Sequence, residues 1–155
     1  MKPVWIVLGV LAALGLACCG GLLFVGKGLF NSVAKTNDEA DRYSAQFLSE
    51  LGKNWEASVV EKHASKEFRE QVSKKDLQTV LLLYKTKLGP LKTSGEFSAS
   101  NIRAESTTND KYVLVTTRAD ADFEKGPGKV QFEVIRRGEK WQVLSFEIVS
   151  NALKK

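Results

Sequence analysis

The sequence predicts an α+β protein in which one N-terminal transmembrane helix precedes about three helices packed on a curved four-stranded antiparallel sheet. Three observations predict this order. Residues 4–25 contain no charged side chain. From residue 36 to residue 89, apolar residues recur at helical spacing. After Leu91, apolar and polar residues alternate, which is typical of strands buried on one face. Helices followed by hairpin-linked strands favour an α+β arrangement.

The charge-free segment predicts a membrane anchor that is retained in the mature protein. Its 22 residues would rise about 33 Å as a helix, close to the hydrocarbon thickness of a bilayer. A cleaved signal peptide has a shorter apolar core of about 7–15 residues. We therefore expect a single-pass signal-anchor over residues 1–27, a linker over 28–35 and a soluble domain over 36–155.

The orientation of this anchor is weakly specified by charge. Lys2 lies on one side, and Lys27 and Lys35 lie on the other, so the positive-inside rule finds nearly a tie. The segment resembles signal-anchors, which favours a cytoplasmic N-terminus and an extracytoplasmic domain.

A stripe of small residues follows one face of the predicted membrane helix. Its members recur every four positions and are Gly9, Ala13, Ala17 and Gly21. Small residues at this spacing let two membrane helices approach closely. The stripe therefore predicts packing against another membrane helix, and the alternative is chance, since Gly and Ala are common in such helices.

Both cysteines lie inside the apolar segment. The run Leu16-Ala17-Cys18-Cys19 resembles the lipidation signal of bacterial lipoproteins, in which Leu and two small residues precede the acylated Cys. The resemblance requires acylation at Cys19, because Gly15 breaks the pattern for Cys18. The alternatives are thus a lipoprotein acylated at Cys19, or two small apolar residues in a membrane helix.

The helical part of the domain is predicted from caps and breakers. Thr36 and Glu39 have the spacing of a capping box, and Gly52 is expected to end the first helix. Asn54 is expected to cap the second helix. A short helical turn follows, and the last helix begins at a capping box formed by Ser73 and Asp76. The buried stripe of this last helix is expected to contain Leu77, Val80, Leu81, Tyr84 and Leu88, and Gly89-Pro90 ends it.

Four strands are predicted next, over residues 95–105, 110–123, 129–137 and 140–150. The stretch EKGPG, residues 124–128, is expected to form the turn between the second and third strands. Its Gly126-Pro127-Gly128 is expected to be part of this hairpin loop, since it has neither of the glycine-rich phosphate-binding patterns. In the last strand, Trp141 and Val143 are expected on one face. The other face is expected to carry Leu144, Phe146 and Ile148.

The order of elements resembles the cystatin-like and nuclear transport factor 2-like cone fold over residues 38–150. The stretch ADRYSAQFLSELGKNWEASVVEKHASKEFREQVS is similar to small bacterial membrane-anchored members of that group. The ending VQFEVIRRGEKWQVLSFEI resembles their last hairpin, with a Trp just after the turn. The resemblance implies a cone that can enclose a small ligand. Residues 88–149, with LGPLKT and GPGKVQFEVIRRGEKWQVLSFEI, also resemble the cytochrome oxidase assembly factor family.

A ligand cavity under the helices is a further expectation. Small Ala119 and Ala121 beside Phe123 leave room on the inner face of the second predicted strand. The candidate lining is completed by Tyr43, Phe47 and Tyr84. The alternative is that these three larger side chains fill the space.

The sequence predicts no catalytic residue, metal site or cofactor. His63 is the only histidine, and no Ser, Cys or carboxylate has a local motif that pairs with it. We expect it to be partly buried and hydrogen-bonded to a neighbour. Arg118, Asp120 and Asp122 share a strand face that is expected to be solvated. The cone resemblance adds an alternative, since cone-fold isomerases combine a buried Asp with Tyr residues; the Tyr candidates are Tyr43, Tyr84 and Tyr112.

Charge argues against nucleic acid as a partner. The chain has 23 basic and 18 acidic residues. From Thr36 onward it has 20 basic and 18 acidic residues, a net charge of +2, and no basic patch with interleaved aromatics. The sequence predicts a membrane-anchored, non-enzymatic interaction module whose partners are the bilayer and a membrane protein or complex, in an accessory or assembly role. The alternatives are a ligand-binding or enzymatic cone domain and an envelope lipoprotein.

Overall fold

The computed structural model describes residues 32–106 and 110–154 of the chain. The predicted signal-anchor, its small residues Gly9, Ala13, Ala17 and Gly21, and Cys19 lie outside the described residues. No helix within the described ranges is long and apolar enough to cross a bilayer. The α+β fold belongs to the compact unit Asn37–Lys155.

Four helices occupy the first half of the described chain. They are α1 over residues 32–54, α2 (Ala57–His63), α3 (Lys66–Gln71) and α4 (Lys74–Lys87). The expectation of about three helices is corrected because α3 is a helix of its own. The Ser65 Oγ accepts a hydrogen bond from the Phe68 N–H at 3.1 Å, which caps α3 after the break that follows α2.

The two ends predicted for α1 are wrong. The helix already includes residues 32–35, which belong to the predicted linker, so Thr36 cannot be its cap. The Thr36 Oγ1 instead donates to the Ser32 carbonyl oxygen at 2.9 Å. Gly52 does not stop the helix, which continues to residue 54. Trp55 follows with a φ of 57°, a left-handed conformation in which the helix cannot continue.

The capping prediction for α4 is confirmed, and the one for α2 is wrong. The Ser73 Oγ accepts from the Asp76 N–H at 3.1 Å, and Gly89 follows the helix with a φ of +70°. Asn54 still belongs to α1. The N-cap of α2 is Glu56, whose side chain makes no capping hydrogen bond.

The sheet has five antiparallel strands rather than the four expected. They are β1 (Leu91–Ser94), β2 (Ser98–Ser106), β3 (Lys111–Phe123), β4 (Gly126–Arg137) and β5 (Lys140–Ser150). Both β1 and β2 pair with β3, which pairs with β4, and β4 pairs with β5. The prediction missed β1 because its four residues are mostly exposed and therefore show no apolar alternation.

The turn between β3 and β4 is shorter than expected. Glu124 and Lys125 form the turn, and Gly126-Pro127-Gly128 already pairs with the end of β3. Pro127 is tolerated there because the pairing of β4 with β5 begins only at Gly128, opposite Ser150. No hydrogen bond to β5 is therefore lost at the proline, which has no N–H.

A register shift in β5 changes which side chains face the core. Phe132 lies opposite Phe146 and Val134 lies opposite Val143, so Leu144 is the extra residue between them. Val143 therefore joins Phe146 on the inner face, which corrects the two faces predicted for this strand. The hydrophobic core contains these inner-face side chains together with buried residues of the helices, such as Phe47.

The outer edge of β5 is covered by helices and their connections. The Ser65 N–H donates to the Val143 carbonyl at 2.9 Å. Ala64, the residue before it, forms an isolated parallel bridge with Val143.

Candidate functional site

One connected polar group of the described domain centres on His63. The Tyr43 hydroxyl of α1 lies 3.0 Å from the His63 Nδ1. The Glu50 Oε2, two turns further along α1, lies 3.1 Å from the His63 Nε2. Both nitrogens of the ring are therefore bonded to α1, which confirms the expected buried, hydrogen-bonded histidine.

The charge of Glu50 fixes the direction of these bonds. Hydrogen bonds from Gln46 and then from His63 lower the pKa of Glu50 to about 2, so it is a carboxylate at neutral pH and can only accept. In the neutral imidazole, Nε2 must then carry the proton, and Nδ1 accepts from the Tyr43 hydroxyl. Burial, and then the charge of Glu50, raise the pKa of Tyr43 above its usual value, so the hydroxyl keeps the proton that it donates.

Aromatic rings enclose the His63 imidazole. Its centroid lies 5.4 Å from that of Phe47 and 5.6 Å from that of Tyr43. Trp141 of β5 stacks on the other side of Tyr43, with centroids 6.3 Å apart. The Arg136 guanidinium lies 5.3 Å from the Trp141 ring centroid, at cation–π distance. Chemically, this arrangement holds α1, α2 and β5 together.

A second polar cluster links the start of β3 and the end of β4 to α3. The Arg137 Nη2 lies 2.6 Å from the Glu67 Oε1, and its Nε lies 2.8 Å from the Asp110 Oδ2. These bonds raise the pKa of Arg137 further above its already high value. The guanidinium also lies over the Tyr112 ring, 5.4 Å from the centroid.

The candidate cavity residues separate into two aromatic groups. Tyr43 and Phe47 belong to the His63 group, where Phe47 meets Phe132 edge-on at 5.4 Å. Tyr84 and Phe123 instead surround Trp55, at centroid distances of 5.4 Å and 5.8 Å.

Trp55 is the residue that sequence reasoning missed here. Its Nε1 donates to the Gly89 carbonyl at 2.8 Å, which joins the end of α1 to the turn after α4. The two small residues of the candidate cavity lining, Ala119 and Ala121, are both buried on the inner face of β3. A tryptophan in a left-handed turn has no periodic sequence signal that would have found it.

The predicted Asp and Tyr residues are not brought to one place. Asp120 and Asp122 are exposed on β3, on the face opposite the core. Tyr43 and Tyr84 lie on the core side. Tyr112 begins the same exposed face as the two aspartates, and its hydroxyl donates to the Glu105 carboxylate.

An open apolar cleft lies among the three shorter helices. It has a volume of about 300 Å³ and is lined by residues that include Val60, Phe68 and Leu77, with Arg69 and Lys74 among the charged ones. Val60, Phe68 and Leu77 are nearly fully buried, so the cleft offers little apolar surface of its own.

Helix α4 departs from the buried stripe predicted for it. Leu77, Leu81 and Tyr84 are buried as expected, but Val80 is 38% exposed. The three consecutive leucines at 81–83 could have indicated that some large apolar side chains of α4 are exposed. Successive residues of a helix are about 100° apart around its axis, so three in a row cannot all face one core.

Comparison with known proteins adds no relative. No family model matches the sequence, and no curated protein matches it.

Proposed function

We propose that this chain is a membrane-anchored, non-enzymatic interaction module that serves as an accessory or assembly subunit of a membrane protein complex. The observation that carries the proposal is the charge-free run at residues 4–25, which comes before the compact unit Asn37–Lys155 in the sequence. A bilayer is the environment in which such a run is stable as a helix. We also propose an extracytoplasmic domain, because the run resembles signal-anchors with a cytoplasmic N-terminus.

The hydrogen bonds of His63 support the non-enzymatic part of this proposal. Both His63 ring nitrogens are bonded to α1, so the imidazole has no free nitrogen with which to move a proton to or from a bound molecule. Asp120 and Asp122 are exposed on the outer face of the sheet, away from the tyrosines of the core.

We also propose the finer fold assignment, a cystatin-like or nuclear transport factor 2-like cone. The support is the order of elements, with the helices first and then an antiparallel sheet whose last hairpin carries Trp141 just after the turn. The strand that was not predicted, β1, is short, and it pairs with the same edge of β3 as β2 does.

The partner is proposed to bind the small-residue face of the anchor. Ala13→Leu places a bulky side chain in the middle of the stripe, whereas Ala12→Leu adds the same bulk one position away, on another side of the helix. After mild detergent extraction of membranes, we expect the wild-type chain and Ala12→Leu to co-purify with a larger complex and Ala13→Leu to lose it. Recovery of the wild-type chain as an isolated monomer would overturn the proposal.

The intact mass of the recovered chain tests retention of the anchor. A mass that includes residues 4–25 supports the proposal. A chain beginning at Cys19 with added acyl mass replaces it with the lipoprotein alternative. A chain trimmed before Asn37 and recovered without membranes overturns both.

A further inference from the structure

Helix α4 carries most of the large apolar side chains that the described domain leaves exposed. Of the five such side chains in the described residues, three are on this helix. They are Leu82, 64% exposed, Leu83, 44% exposed, and Val80, 38% exposed. Leu82 and Leu83 lie away from the side of α4 that is buried through Leu77 and Leu81. The helix thus presents a second apolar surface, on its solvent side.

Positive charge is concentrated on the same helix and on the residues just after it. Residues 74–92 contain five lysines and one aspartate, a net charge of +4. Since residues 36–155 carry +2 in total, with 20 basic and 18 acidic residues, the rest of that range carries −2. The basic character of the domain therefore comes from α4 and the residues just after it.

Part of this charge is neutralised within the domain. The Lys74 Nζ lies 3.5 Å from the Glu61 Oε1. Lys75, Lys85 and Lys92 are exposed, and the aliphatic part of a lysine side chain can lie along an apolar surface while the ammonium group reaches a polar one. Asp76 is the one acidic side chain of α4, and it is hydrogen-bonded to Ser73 at the N-terminus.

We propose that α4 lies on the surface of a bilayer that contains anionic lipids. Leu82 and Leu83 enter the boundary between headgroups and acyl chains, and the flanking lysines contact the anionic headgroups. Interfacial helices likewise combine apolar side chains such as leucine with lysines, and the +4 charge of residues 74–92 is complementary to phosphate-bearing headgroups. An acidic protein surface would attract the lysines equally, but the leucines favour a lipid boundary.

This inference rests on the proposed anchor. Two leucines and a few lysines bind a bilayer only weakly by themselves. A domain held beside the bilayer by its own chain makes the contact within one molecule, which raises the effective concentration of the surface. The contact between α4 and the bilayer, although too weak to recruit a free protein to the membrane, is then populated in the anchored chain.

The test uses the full chain, isotopically labelled at methyl groups, in nanodiscs that contain a small fraction of lipid with a paramagnetic headgroup. We expect Leu82 and Leu83 methyl relaxation to be enhanced about twofold or more over that of Val149 in discs containing phosphatidylglycerol. Val149 is the matched control because it is 53% exposed and lies on β5. In discs of phosphatidylcholine alone, the difference in relaxation between these leucine methyls and Val149 should be smaller.

Variants separate the contributions of the surface. Leu82→Gln together with Leu83→Gln should abolish the enhancement at neighbouring Thr79 and Thr86, whereas Val149→Gln should leave it unchanged. Equal relaxation of Leu82, Leu83 and Val149 in anionic discs overturns the inference alone. If the signals of the α4 methyl groups change only after a co-purified acidic protein is added, the partner of this surface is that protein, and the bilayer inference is overturned. A chain that does not co-elute with the discs overturns the anchor, and this inference with it.

Discussion

The Tyr43 hydroxyl oxygen lies 3.0 Å from the Nδ1 of His63, and this bond joins α1 to α2 within an otherwise aromatic environment. The ring is held from its other side by Glu50. Removal of any one partner leaves a buried polar atom without a bond, which destabilises more than the bond itself stabilises.

Tyr43→Phe should destabilise the domain by about 1–3 kcal/mol, because the His63 Nδ1 is left buried without a donor. The free energy of unfolding in urea measures the effect. Tyr112→Phe is the matched control, since its hydroxyl is bonded at the surface, and it should change stability by no more than about 0.5 kcal/mol. Nitrogen-15 shifts should also show the Nε2–H tautomer of His63 in the wild-type chain; the Nδ1–H tautomer would contradict the bond directions given above.

Ser44 and Thr117 form a second buried polar pair, between α1 and β3, with hydroxyl oxygens 2.8 Å apart. Ser44→Ala and Thr117→Val should each cost about 1–3 kcal/mol, because each leaves the other hydroxyl unpaired. The double variant should lose less than the sum, which a double-mutant cycle measures. The exposed pair of Ser145 and Glu133 is the control, and its coupling should be smaller. Strict additivity at Ser44 and Thr117 would show that the hydroxyls do not interact.

Stability should fall in acid through Glu50. Its pKa is lowered from 4.5 to about 2 in the folded chain, so the folded state binds a proton less readily than the unfolded state does. The stabilisation is therefore fully present above pH 4.5 and is lost as the pH falls towards about 2. Glu50→Gln should remove this part of the pH dependence, so the unfolding free energies of the two proteins should converge in acid. Parallel curves over that interval would contradict the assignment.

Gly52→Ala should destabilise the domain although it lies within a helix. Alanine is favoured over glycine in helices by about 0.5–1 kcal/mol, but a Cβ at position 52 would lie 2.6 Å from the Leu91 Cβ of β1. Overpacking of this kind costs about 1–3 kcal/mol. Gly95→Ala is the control, because the nearest atom to its added Cβ is the Asp120 carbonyl oxygen at 3.4 Å. A rise in melting temperature for Gly52→Ala would show that α1 and β1 can move apart freely.

The α+β class and most strand positions could be predicted because the apolar period changes at the end of α4. The prediction for β5, residues 140–150, matches the observed Lys140–Ser150. The cap of α4 could be predicted because Ser73 and Asp76 are only three residues apart in the sequence. These features depend on neighbours along the chain, which a sequence displays directly.

The remaining features depend on contacts that are distant in sequence. Gly52 resembled a helix stop, but its lack of a side chain serves the approach of Leu91. The His63 group required residues 13 and 20 positions away, at no spacing that a motif would reveal. The shift at Leu144 exchanges the faces of β5, and alternation alone cannot locate such an insertion.

The covered edge of β5 restricts how copies of this chain can join. The Ser65 N–H is bonded to the Val143 carbonyl of β5, and Ala64 forms a bridge with the same residue, so a strand from a second molecule cannot pair at Val143 without displacing them. A high local concentration of copies would therefore not extend the sheet at this part of β5. Growth of fibrils from the folded domain would have to begin elsewhere or wait until the connection between α2 and α3 detaches from β5.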